Sequence, residues 1–356
     1  MAGIAAPSPE FWSDRRVLII GNTGFKGSWL SLWLHRLGAR VLGLSLPPPT
    51  TPSLFALANL SALLPTTLTD TRDPAAVCDA MRDLRPEFVF HLAAQPLVRE
   101  SYRDPVATYA TNVMGTVHVL EAVRSVSTVR SVVVVTSDKC YENREWPWAY
   151  RETEAMGGRD PYSSSKGCAE LVTAAYRRSF LSGIGMATVR AGNVIGGGDW
   201  AEDRLLPDCM RALADGRPIA LRNPHAVRPW QHVLEPLCGY LMLAERLADD
   251  PAAFSGAWNF GPADQDAKPV AWIADRVVAQ WGNGATWSVS CGNAPHEANV
   301  LKVDASKACL SLGWEPRLKL EAAVAWTVDW YLRLAGGEPA LGLTDQQLAC
   351  WREYGT

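Results

Sequence analysis

A short apolar run, Arg16-Val-Leu-Ile-Ile20, leads directly into Gly21-Asn-Thr-Gly24-Phe-Lys-Gly27, and a helical pattern continues from there through Leu37. The apolar run is typical of a buried strand, so the glycines lie at a junction between a strand and a helix. Glycine permits a tight turn and a close approach of the backbone to a ligand, and a pyrophosphate placed there would meet the positive end of the helix. Structural turns also show the spacing GxxGxxG, so the spacing alone does not identify a binding site. The position of these glycines at the first strand-to-helix junction is what predicts a dinucleotide site.

Further apolar runs follow at intervals and alternate with helical patterns. We predict strands at Arg40-Val-Leu-Gly-Leu44, Glu87-Phe-Val-Phe-His91 and Ser131-Val-Val-Val-Val135, and a helix over Val106–Val123. Continuous apolar character indicates strands that are covered on both faces. Such strands, joined by helices in right-handed crossovers, predict a doubly wound parallel α/β sheet of the Rossmann type.

The alternation weakens after about Arg190, where Gly192–Asp199 has the composition of a loop. We therefore expect a second, smaller mixed α/β domain that binds the substrate. The predicted domains are interleaved: residues 11–191 plus about 228–262 form the dinucleotide-binding domain, and residues 192–227 plus about 263–356 form the substrate-binding domain. A chain of 356 residues is long enough for two associated units.

Charge and composition exclude several classes of partner. The formal net charge is -3 at pH 7, so we expect neither a nucleic-acid partner nor binding to an acidic membrane surface. The N-terminus lacks the features of a signal peptide, and no apolar run reaches the ~20 residues that cross a bilayer, which predicts a cytoplasmic protein. Eight cysteines without CxxC spacing and six scattered histidines predict reduced thiols and no metal site.

The end of the predicted second strand bears on the choice of cofactor. The sequence Gly43-Leu-Ser45-Leu-Pro47 lacks the usual acidic residue, and no arginine follows that could hold a 2′-phosphate, so NAD is favoured over NADP. Ser45, at the end of this strand, could contact the adenosine ribose in place of an acidic residue. Further along, Asp70 and Thr71 either lie against the adenine or belong to a turn that caps a helix, and the sequence leaves both interpretations open.

Tyr162 and Lys166 are four residues apart in Tyr162-Ser-Ser-Ser-Lys166, so both side chains lie on one face of a helix. A free tyrosine has a pKa of about 10, which is too high for an efficient base at neutral pH. We expect a nearby ammonium and a positive nicotinamide ring to lower it. Tyr162 could then remove a hydroxyl proton as hydride leaves the same carbon. The pair follows a buried strand that ends in Thr136-Ser137, which is the order found in short-chain dehydrogenases.

Together these motifs resemble the extended short-chain dehydrogenase family. The resemblance rests on Gly21–Gly27, His91-Leu-Ala-Ala-Gln95, Asn112-Val-Met-Gly-Thr116 and the Tyr162/Lys166 pair. Within the family, Thr136-Ser-Asp-Lys-Cys-Tyr141 is similar to the branch of CDP-glucose 4,6-dehydratases, whereas dehydratases of dTDP-glucose carry Thr-Asp-Glu there. The similarity runs from about Phe11 to Tyr331, and longer segments that share it are Gly24–Leu30, Gln95–Tyr102, Gly192–Trp200, Arg228–Val233 and Leu312-Gly-Trp314.

The resemblance implies a reaction in three stages. NAD takes hydride from C4 of the glucose while Tyr162 takes the O4 proton; water is then lost across C5 and C6, and hydride returns to C6 to give CDP-4-keto-6-deoxyglucose. Ser137 would hydrogen-bond the C4 oxygen, and Asp138 would protonate the leaving C6 hydroxyl. Lys139 occupies the position of the C5 base, or else stabilises an enolate by its charge while another group or water takes the proton.

The resemblance also implies the remaining site residues and a homodimer or homotetramer that supplies deoxysugar precursors for a bacterial surface polysaccharide. The implied cofactor-binding residues are Gly21, Gly24, Phe25, Lys26, Gly27, Asp70, Thr71, Leu92, Ala93, Ala94, Thr111, Tyr162 and Lys166. The implied substrate-binding residues are Gln95, Asn112, Asn193, Arg204 and Arg228, of which the two arginines would hold the diphosphate.

Two other functions remain open. An epimerase or a dehydratase of another nucleotide sugar would share the fold and the tyrosine, but an epimerase has no need of Asp138 and Lys139 for the loss of water. A non-catalytic dinucleotide sensor could also be built on this fold, because function depends on the site and not on the fold. The filled catalytic positions favour an enzyme.

Overall fold

The computed structural model describes residues 6–290 and 300–354. Within these residues the strands are β1 (Arg16–Ile20), β2 (Arg40–Ser45), β3 (Thr66–Leu68), β4 (Phe88–His91), β5 (Ser131–Val135), β6 (Gly185–Ala191), β7 (Val194–Ile195), β8 (Ile219–Leu221), β9 (Val227–Pro229), β10 (Gln231–His232), β11 (Gly256–Phe260), β12 (Ala267–Pro269) and β13 (Trp287–Val289).

The α-helices of the same residues are α1 (Pro9–Trp12), α2 (Phe25–Arg36), α3 (Leu54–Leu57), α4 (Pro74–Leu84), α5 (Val98–Arg103), α6 (Pro105–Tyr109), α7 (Gly115–Arg124), α8 (Pro161–Ser179), α9 (Leu205–Ala214), α10 (Leu234–Asp249), α11 (Pro251–Phe254), α12 (Val270–Trp281), α13 (Ser306–Leu312), α14 (Leu320–Ala335) and α15 (Ala340–Glu353). None of the described helices is both long and apolar enough to cross a lipid bilayer.

Seven strands form one parallel sheet in the order β11-β6-β5-β4-β1-β2-β3. The chain builds outward from β1 to β3, then crosses back so that β4 lies on the other side of β1. Ile20 pairs with both Leu44 and His91, so the carboxyl ends of these three strands meet at one edge. The crevice at such a reversal is where open α/β sheets bind ligands. The predicted doubly wound parallel sheet is confirmed.

Each central strand buries both of its faces, because alternate residues enter different cores. In β4, Phe88 and Phe90 pack in one hydrophobic cluster and Val89 in the other. In β5, Val133 faces the first cluster, whereas Val132 and Val134 face the second. Helices α4 and α7 cover the second cluster, and α2 and α10 contribute to the first. This burial on both faces explains why the strands read as continuous apolar runs in the sequence.

The predicted helix over Val106–Val123 is present with one irregularity. It consists of α6, a π-helical turn over Ala110–Met114, and α7. A π-helical turn widens the helix locally and re-aims its side chains, and such turns are frequent at functional sites. This one carries Thr111 and Asn112, two of the residues that the family resemblance implies for the site.

Beyond β6 the chain forms small ladders around the crevice. β7 pairs with β10 and β8 with β13 in parallel, whereas β9 and β12 are antiparallel. β11 leaves this region and joins the large sheet beside β6. The interleaved division into residues 11–191 plus 228–262 and the remainder stays a prediction.

Candidate active site

The glycine-rich turn between β1 and α2 is shaped for a close backbone approach. Gly21 has a φ of +96°, and a Cβ at this position would lie 2.6 Å from the backbone nitrogen of Ala93. A Cβ on Gly27 would lie 2.0 Å from the carbonyl oxygen of Gly21. Side chains are therefore excluded at both positions, and the turn leaves the amino end of α2 open above the sheet edge. A cradle of this form suits the pyrophosphate of a dinucleotide.

The residues implied for the adenine end lie beside this turn. Asp70 is half-buried, and its carboxylate accepts hydrogen bonds from the side chain of Arg72, at 2.6 Å from the terminal nitrogen, and from the Arg72 backbone at 2.8 Å. Thr71 is buried, and its carbonyl oxygen is 2.8 Å from Nδ1 of His118. Ser45 is buried as well, with its hydroxyl 2.7 Å from that of Thr23. Asp70 thus holds a turn in this structure, and a contact of Asp70 with adenine stays a prediction.

Four of the five predicted catalytic residues, all but Lys166, meet in one cavity of about 640 Å³ at the carboxyl edge of the sheet. A cavity of this volume is of the size that holds a small-molecule ligand. Of the residues implied by the family resemblance, those that line it are Lys26, Ser137, Asp138, Lys139, Tyr162, Asn193, Arg204 and Arg228. The case for water elimination required Asp138 and Lys139 to share a cleft with Tyr162, and the structure brings all three together.

A tight turn after β5 presents three of these residues. Asp138–Cys140 forms a short 3-10 helix, and the Ser137 hydroxyl caps it by accepting a hydrogen bond from the Lys139 backbone at 3.2 Å. The same hydroxyl donates to Oδ1 of Asp138 at 3.0 Å and is hydrogen bonded to Tyr162. Ser137 therefore links the phenol to the carboxyl group.

Asp138 is only 3% exposed, and its Oδ2 has no hydrogen-bond partner within the described residues. A buried polar atom without a partner in the protein is uncommon and requires an explanation. Burial raises the pKa of Asp138, and the nearby cations Lys139, Arg228 and Lys26 act in the opposite direction. A raised pKa favours the protonated carboxyl group, which is the form that can give a proton to a leaving group.

Tyr162 lies in the first turn of α8, where Asp160 caps the helix by accepting from the Ser163 backbone at 2.9 Å. Burial raises the pKa of Tyr162 to about 12, although the hydrogen bond to Ser137 and the charge of Arg204 act to lower it. In the chain by itself desolvation outweighs the cations, and the lowering expected with the positive nicotinamide ring stays a prediction. The positive charge that stabilises a tyrosinate has to come in part from the ligand.

Lys166 follows one helical turn later and points toward the strand below. Its ammonium group donates to the carbonyl oxygen of Val135 at 3.2 Å. Burial lowers the pKa of Lys166 to about 8. The side chain is thus held at the end of β5, next to the catalytic turn.

Lys26 belongs to the glycine-rich turn, but it does not lie only at the predicted cofactor site. Its side chain enters the catalytic cavity together with Asp138, Tyr162 and Arg204. Burial lowers the pKa of Lys26 to about 7, and Arg204 adds to this effect. It therefore brings a cation that titrates near neutrality to the place where the pyrophosphate cradle and the reaction cavity meet.

Gln95 and Asn112 do not line this cavity, and the expectation that they face the nicotinamide end or the hexose stays a prediction. Asn112 is buried, accepts from the Gln95 backbone at 2.8 Å, and donates to the Gln95 carbonyl at 3.0 Å and to Ser165 at 2.9 Å. The Gln95 amide bonds to Leu97 and Thr108. These bonds tie the loop after β4 to the π-helical turn and to α8, so both amides position the loop.

The residues implied for the diphosphate line the same cavity. Arg228 is buried on β9 and donates to the Val227 carbonyl at 2.9 Å. Arg204 forms a 2.9 Å ion pair with Asp199. Asn193 follows β6 in the loop that precedes β7 and lines the same space. Paired or hydrogen-bonded arginines keep their guanidinium groups in fixed orientations, which suits recognition of phosphate oxygens.

Sequence reasoning did not find a second group of charged residues at the cavity. Asp203 bridges Arg99, at 3.2 Å, and Arg222, at 2.8 Å, and all three line the cavity. Arg99 lies in the Gln95–Tyr102 segment that shares the family resemblance, so the sequence could have pointed to Arg99 as a site residue. Asp203 and Arg222 lie outside every segment that carried the resemblance. Within the described residues, no group of three or more His, Cys, Asp or Glu side chains is arranged to hold a metal ion.

Comparison with known proteins gives this geometry a family. The sequence model of the GDP-mannose 4,6 dehydratase family matches residues 18–327. A CDP-glucose 4,6-dehydratase of Salmonella typhimurium is 52% identical over 96% of this chain and 97% of its own length. A dTDP-glucose 4,6-dehydratase of Xanthomonas campestris is 26% identical over 88% of this chain and 92% of its own.

Solved structures share the fold. DesIV, a dTDP-glucose 4,6-dehydratase of Streptomyces venezuelae solved with NAD and TYD, covers 92% of this chain and 99% of its own length with a TM-score of 0.75 at 23% identity. A UDP-glucose 4-epimerase of Thermus thermophilus, solved with NAD, covers 89% of this chain and 98% of its own with a TM-score of 0.76 at 23% identity. The matched span of the family model and the close Salmonella relative together show that this chain belongs to the GDP-mannose 4,6 dehydratase family.

Proposed function

We propose that this protein converts CDP-D-glucose to CDP-4-keto-6-deoxy-D-glucose with loss of water, as an NAD-dependent nucleotide-sugar 4,6-dehydratase. The observation that carries the proposal is the buried Asp138 carboxyl group with an unpartnered oxygen, next to Lys139 and joined to Tyr162 through Ser137. The 52% identity with a CDP-glucose 4,6-dehydratase over nearly the whole chain supports CDP-glucose as the substrate.

The residues around the glycine-rich turn fit NAD. Gly21 and Gly27 let the turn pack closely against Ala93 and against itself, and Phe25 and Lys26 begin the helix whose positive end lies at this turn. The other residues that we propose to hold the cofactor are Gly24, Asp70, Thr71, Leu92, Ala93, Ala94, Thr111, Tyr162 and Lys166. When bound, NAD+ supplies the hydride acceptor for C4 and, later, the donor for C6.

Tyr162 serves as the base that takes the C4 hydroxyl proton, and Ser137 holds the C4 oxygen. The resulting ketone acidifies the C5 proton. Asp138 then protonates the C6 hydroxyl group as it leaves, and burial raises the pKa of its carboxyl group in favour of the protonated form that this step needs. Lys139 lines the same cavity and takes the proton from C5.

Arg228, Arg204 and Asn193 hold the diphosphate in the cavity, and Gln95 and Asn112 position the loop after β4. Fixed cations at this position would direct the sugar toward Tyr162 and leave the nucleoside near β8 and α9. A substrate with two phosphates needs several donors at once, which is consistent with the concentration of arginines along this wall.

The direct test is incubation of the purified protein with CDP-glucose, dTDP-glucose and UDP-glucose in parallel. We expect a 4-keto sugar, detected by its ultraviolet absorbance in alkali, from CDP-glucose and little from the other two. Formation of a hexose epimer without loss of water would instead show an epimerase. The absence of any product from CDP-glucose would contradict the proposed function.

We propose that the protein is a homo-oligomer that associates through the helices next to the catalytic turn. Large apolar side chains are exposed on α5, α6, the π-helical turn and α8, which pack together: Tyr102, Val106, Tyr109, Met114 and Leu171, with Val106 78% exposed. Exposed apolar side chains that are concentrated on neighbouring helices favour an interface at this surface. The occupant that supplies a complementary apolar helical face is a second copy of the same chain.

Val106→Asp tests this surface. We expect the variant to sediment as a smaller species than the wild type, because a buried unpaired carboxylate opposes association. Leu310→Asp, at an 87% exposed position on α13, is the matched control and should keep the wild-type size. Equal sedimentation of Val106→Asp and wild type would contradict this interface.

A further inference from the structure

A buried network of polar side chains lies behind the catalytic turn, outside the reaction cavity. Its centre is an ion pair between Glu170 on α8 and Arg190 on β6, whose side chains are only 5% and 3% exposed. The pair is bidentate, with Nε of Arg190 2.8 Å from Oε1 of Glu170 and a terminal nitrogen 2.8 Å from Oε2. Removing two charges from water is costly, so such a pair persists only where its geometry and its other hydrogen bonds are well satisfied.

The network holds both ends of the turn that carries Ser137, Asp138 and Lys139. Before the turn, the Thr136 hydroxyl donates to Oε1 of Glu170 at 2.5 Å. After it, the Tyr141 hydroxyl accepts from Arg190 at 2.7 Å, and the guanidinium lies 4.8 Å from the centre of the Tyr141 ring. The catalytic residues are therefore held on both sides, because Thr136 and Tyr141 hydrogen bond to the same ion pair.

The same network anchors the turn to the neighbouring strands. Tyr141 donates to Asn259 on β11 at 2.7 Å, and Thr188 on β6 donates to Oε2 of Glu170 at 2.6 Å. Every hydrogen bond in this group joins elements that are distant in sequence. Displacement of the ion pair would thus change the position of Asp138 relative to Tyr162.

Glu170 also faces Lys166, which lies one helical turn before it on α8. Burial lowers the pKa of Lys166, and the Glu170 carboxylate is the largest influence that raises it. The titratable groups that face this ammonium from the surrounding elements are Lys26 on α2, His91 on β4, Cys140 in the catalytic turn and Glu170 itself. Among them, the Glu170 carboxylate is the negative charge that stabilises the ammonium form.

We infer that Glu170 and Arg190 are a positioning pair for catalysis: they fix the Ser137–Lys139 turn against Tyr162 and keep Lys166 in its ammonium form. The inference rests on the proposed function and deepens it, because neither residue touches the cavity. Both residues act through others, the turn on one side and the lysine on the other.

Glu170→Gln tests the pair, with Thr188→Val as the matched control. The first variant removes the charge, and the second keeps the charge but removes one hydrogen bond to the same carboxylate. For Glu170→Gln we expect kcat to fall about a hundredfold, as a misplaced catalytic group does. We expect the alkaline limb of its kcat profile to move to lower pH by about one unit or more, because a lysine without its counter-charge loses its proton earlier. The alkaline limb of Thr188→Val should stay in place.

A Glu170→Gln enzyme with wild-type kcat and an unmoved alkaline limb would overturn the inference, as would equal profiles for the two variants. Should Glu170→Gln not fold, Tyr141→Phe decides the matter, because it breaks the link to the turn and retains the ion pair. A lower kcat at unchanged KM supports the inference, and wild-type kcat overturns it. The pH dependence of NAD binding gives the same comparison without any sugar, so a failure of CDP-glucose as substrate is distinguishable from a failure of the pair.

Discussion

At the scale of single residues, the chemistry depends on how burial changes the proton affinity of two side chains. Tyr162 and Asp138 are both desolvated, and burial raises the pKa of each. For the acid this is useful, because a protonated Asp138 can donate. For the phenol it is a cost that the positive charge of a bound cofactor offsets. The same cavity thus holds a carboxyl group whose protonated form is favoured and a phenol that needs added positive charge to serve as a base.

We predict that Tyr162→Phe lowers kcat by roughly a hundredfold to ten-thousandfold, the usual contribution of a positioned base. Tyr176→Phe is the control: it lies on the same helix, but its hydroxyl bonds to Glu121 at the surface. Steady-state turnover of CDP-glucose and the melting temperature are to be measured for both. Turnover of Tyr162→Phe near that of Tyr176→Phe would remove Tyr162 from the role of base.

Asp138→Asn should separate the stages of the reaction. Asparagine keeps the shape but cannot give the proton to the C6 hydroxyl group, so we expect oxidation at C4 to continue and elimination to stop. Reduced cofactor should then accumulate in a single turnover, followed by its absorbance. In the wild type, elimination should slow as the pH rises through the raised pKa of Asp138, because the protonated form is lost. A variant that forms product at the wild-type rate would contradict the assignment.

At the scale of elements, the site is made by two tight turns that end parallel strands. The turn after β1 brings Gly21 against the backbone of Ala93, and the turn after β5 presents Asp138. The strand order reverses between β1 and β4, and β5 lies on the other side of β4; because the sheet is parallel, the carboxyl ends of β1 and β5 lie at the same edge. α8 supplies the tyrosine from the side, and Asn112 connects that helix to the loop after β4.

We predict that Gly27→Ala weakens NAD binding. The new Cβ would lie 2.0 Å from the Gly21 carbonyl oxygen, so the turn or the start of α2 has to move. Such overpacking lowers the free energy of unfolding by about 1–3 kcal/mol. Because the displaced turn is the one proposed to hold the pyrophosphate, we also expect a tenfold or greater loss of affinity, at roughly 1.4 kcal/mol for each factor of ten. Calorimetric titration with NAD measures it. Gly183→Ala, with no atom within 4 Å of its added Cβ, is the control; equal affinities would contradict the cradle.

At the scale of the whole molecule, buried polar groups join distant parts of the chain. Glu235 on α10 is fully buried and accepts from the indole of Trp351 at 2.7 Å and from the backbones of Arg317 at 2.8 Å and Leu318 at 3.1 Å. One carboxyl group therefore fixes α15 and the segment before α14 to the helix beside the main sheet. The helix α14 also contacts β7, whose residues line the catalytic cavity, so these hydrogen bonds support one wall of the cavity.

We predict that Glu235→Gln lowers the free energy of unfolding by about 1–3 kcal/mol, because the new amide group turns a donor toward at least one of the N–H groups. Glu321→Gln is the control, since that side chain is 74% exposed and its ion pair with Arg276 is at the surface. Urea unfolding of both variants gives the comparison. Equal unfolding midpoints would show that the contacts of Glu235 add nothing to the stability of the fold.

The sequence by itself determined the Rossmann sheet and the glycine-rich turn, and it predicted the candidate catalytic set of Ser137, Asp138, Lys139 and Tyr162, which line one cavity. These features are local: strand and helix periods and motif spacing depend on neighbours in the chain. β1 and β5 were predicted to the residue, because their apolar runs are bounded by polar or turn-forming residues.

Only the tertiary structure decided which polar side chains face the cavity and what burial does to them. Asn112 and Gln95 hold each other, Lys26 enters the reaction cavity, and Asp203 brings Arg99 to Arg222. Each of these depends on partners far away in the sequence. The raised pKa of Tyr162 likewise follows from the packing that surrounds it. Desolvation and long-range pairing are properties of the assembled molecule, so no local pattern encodes them.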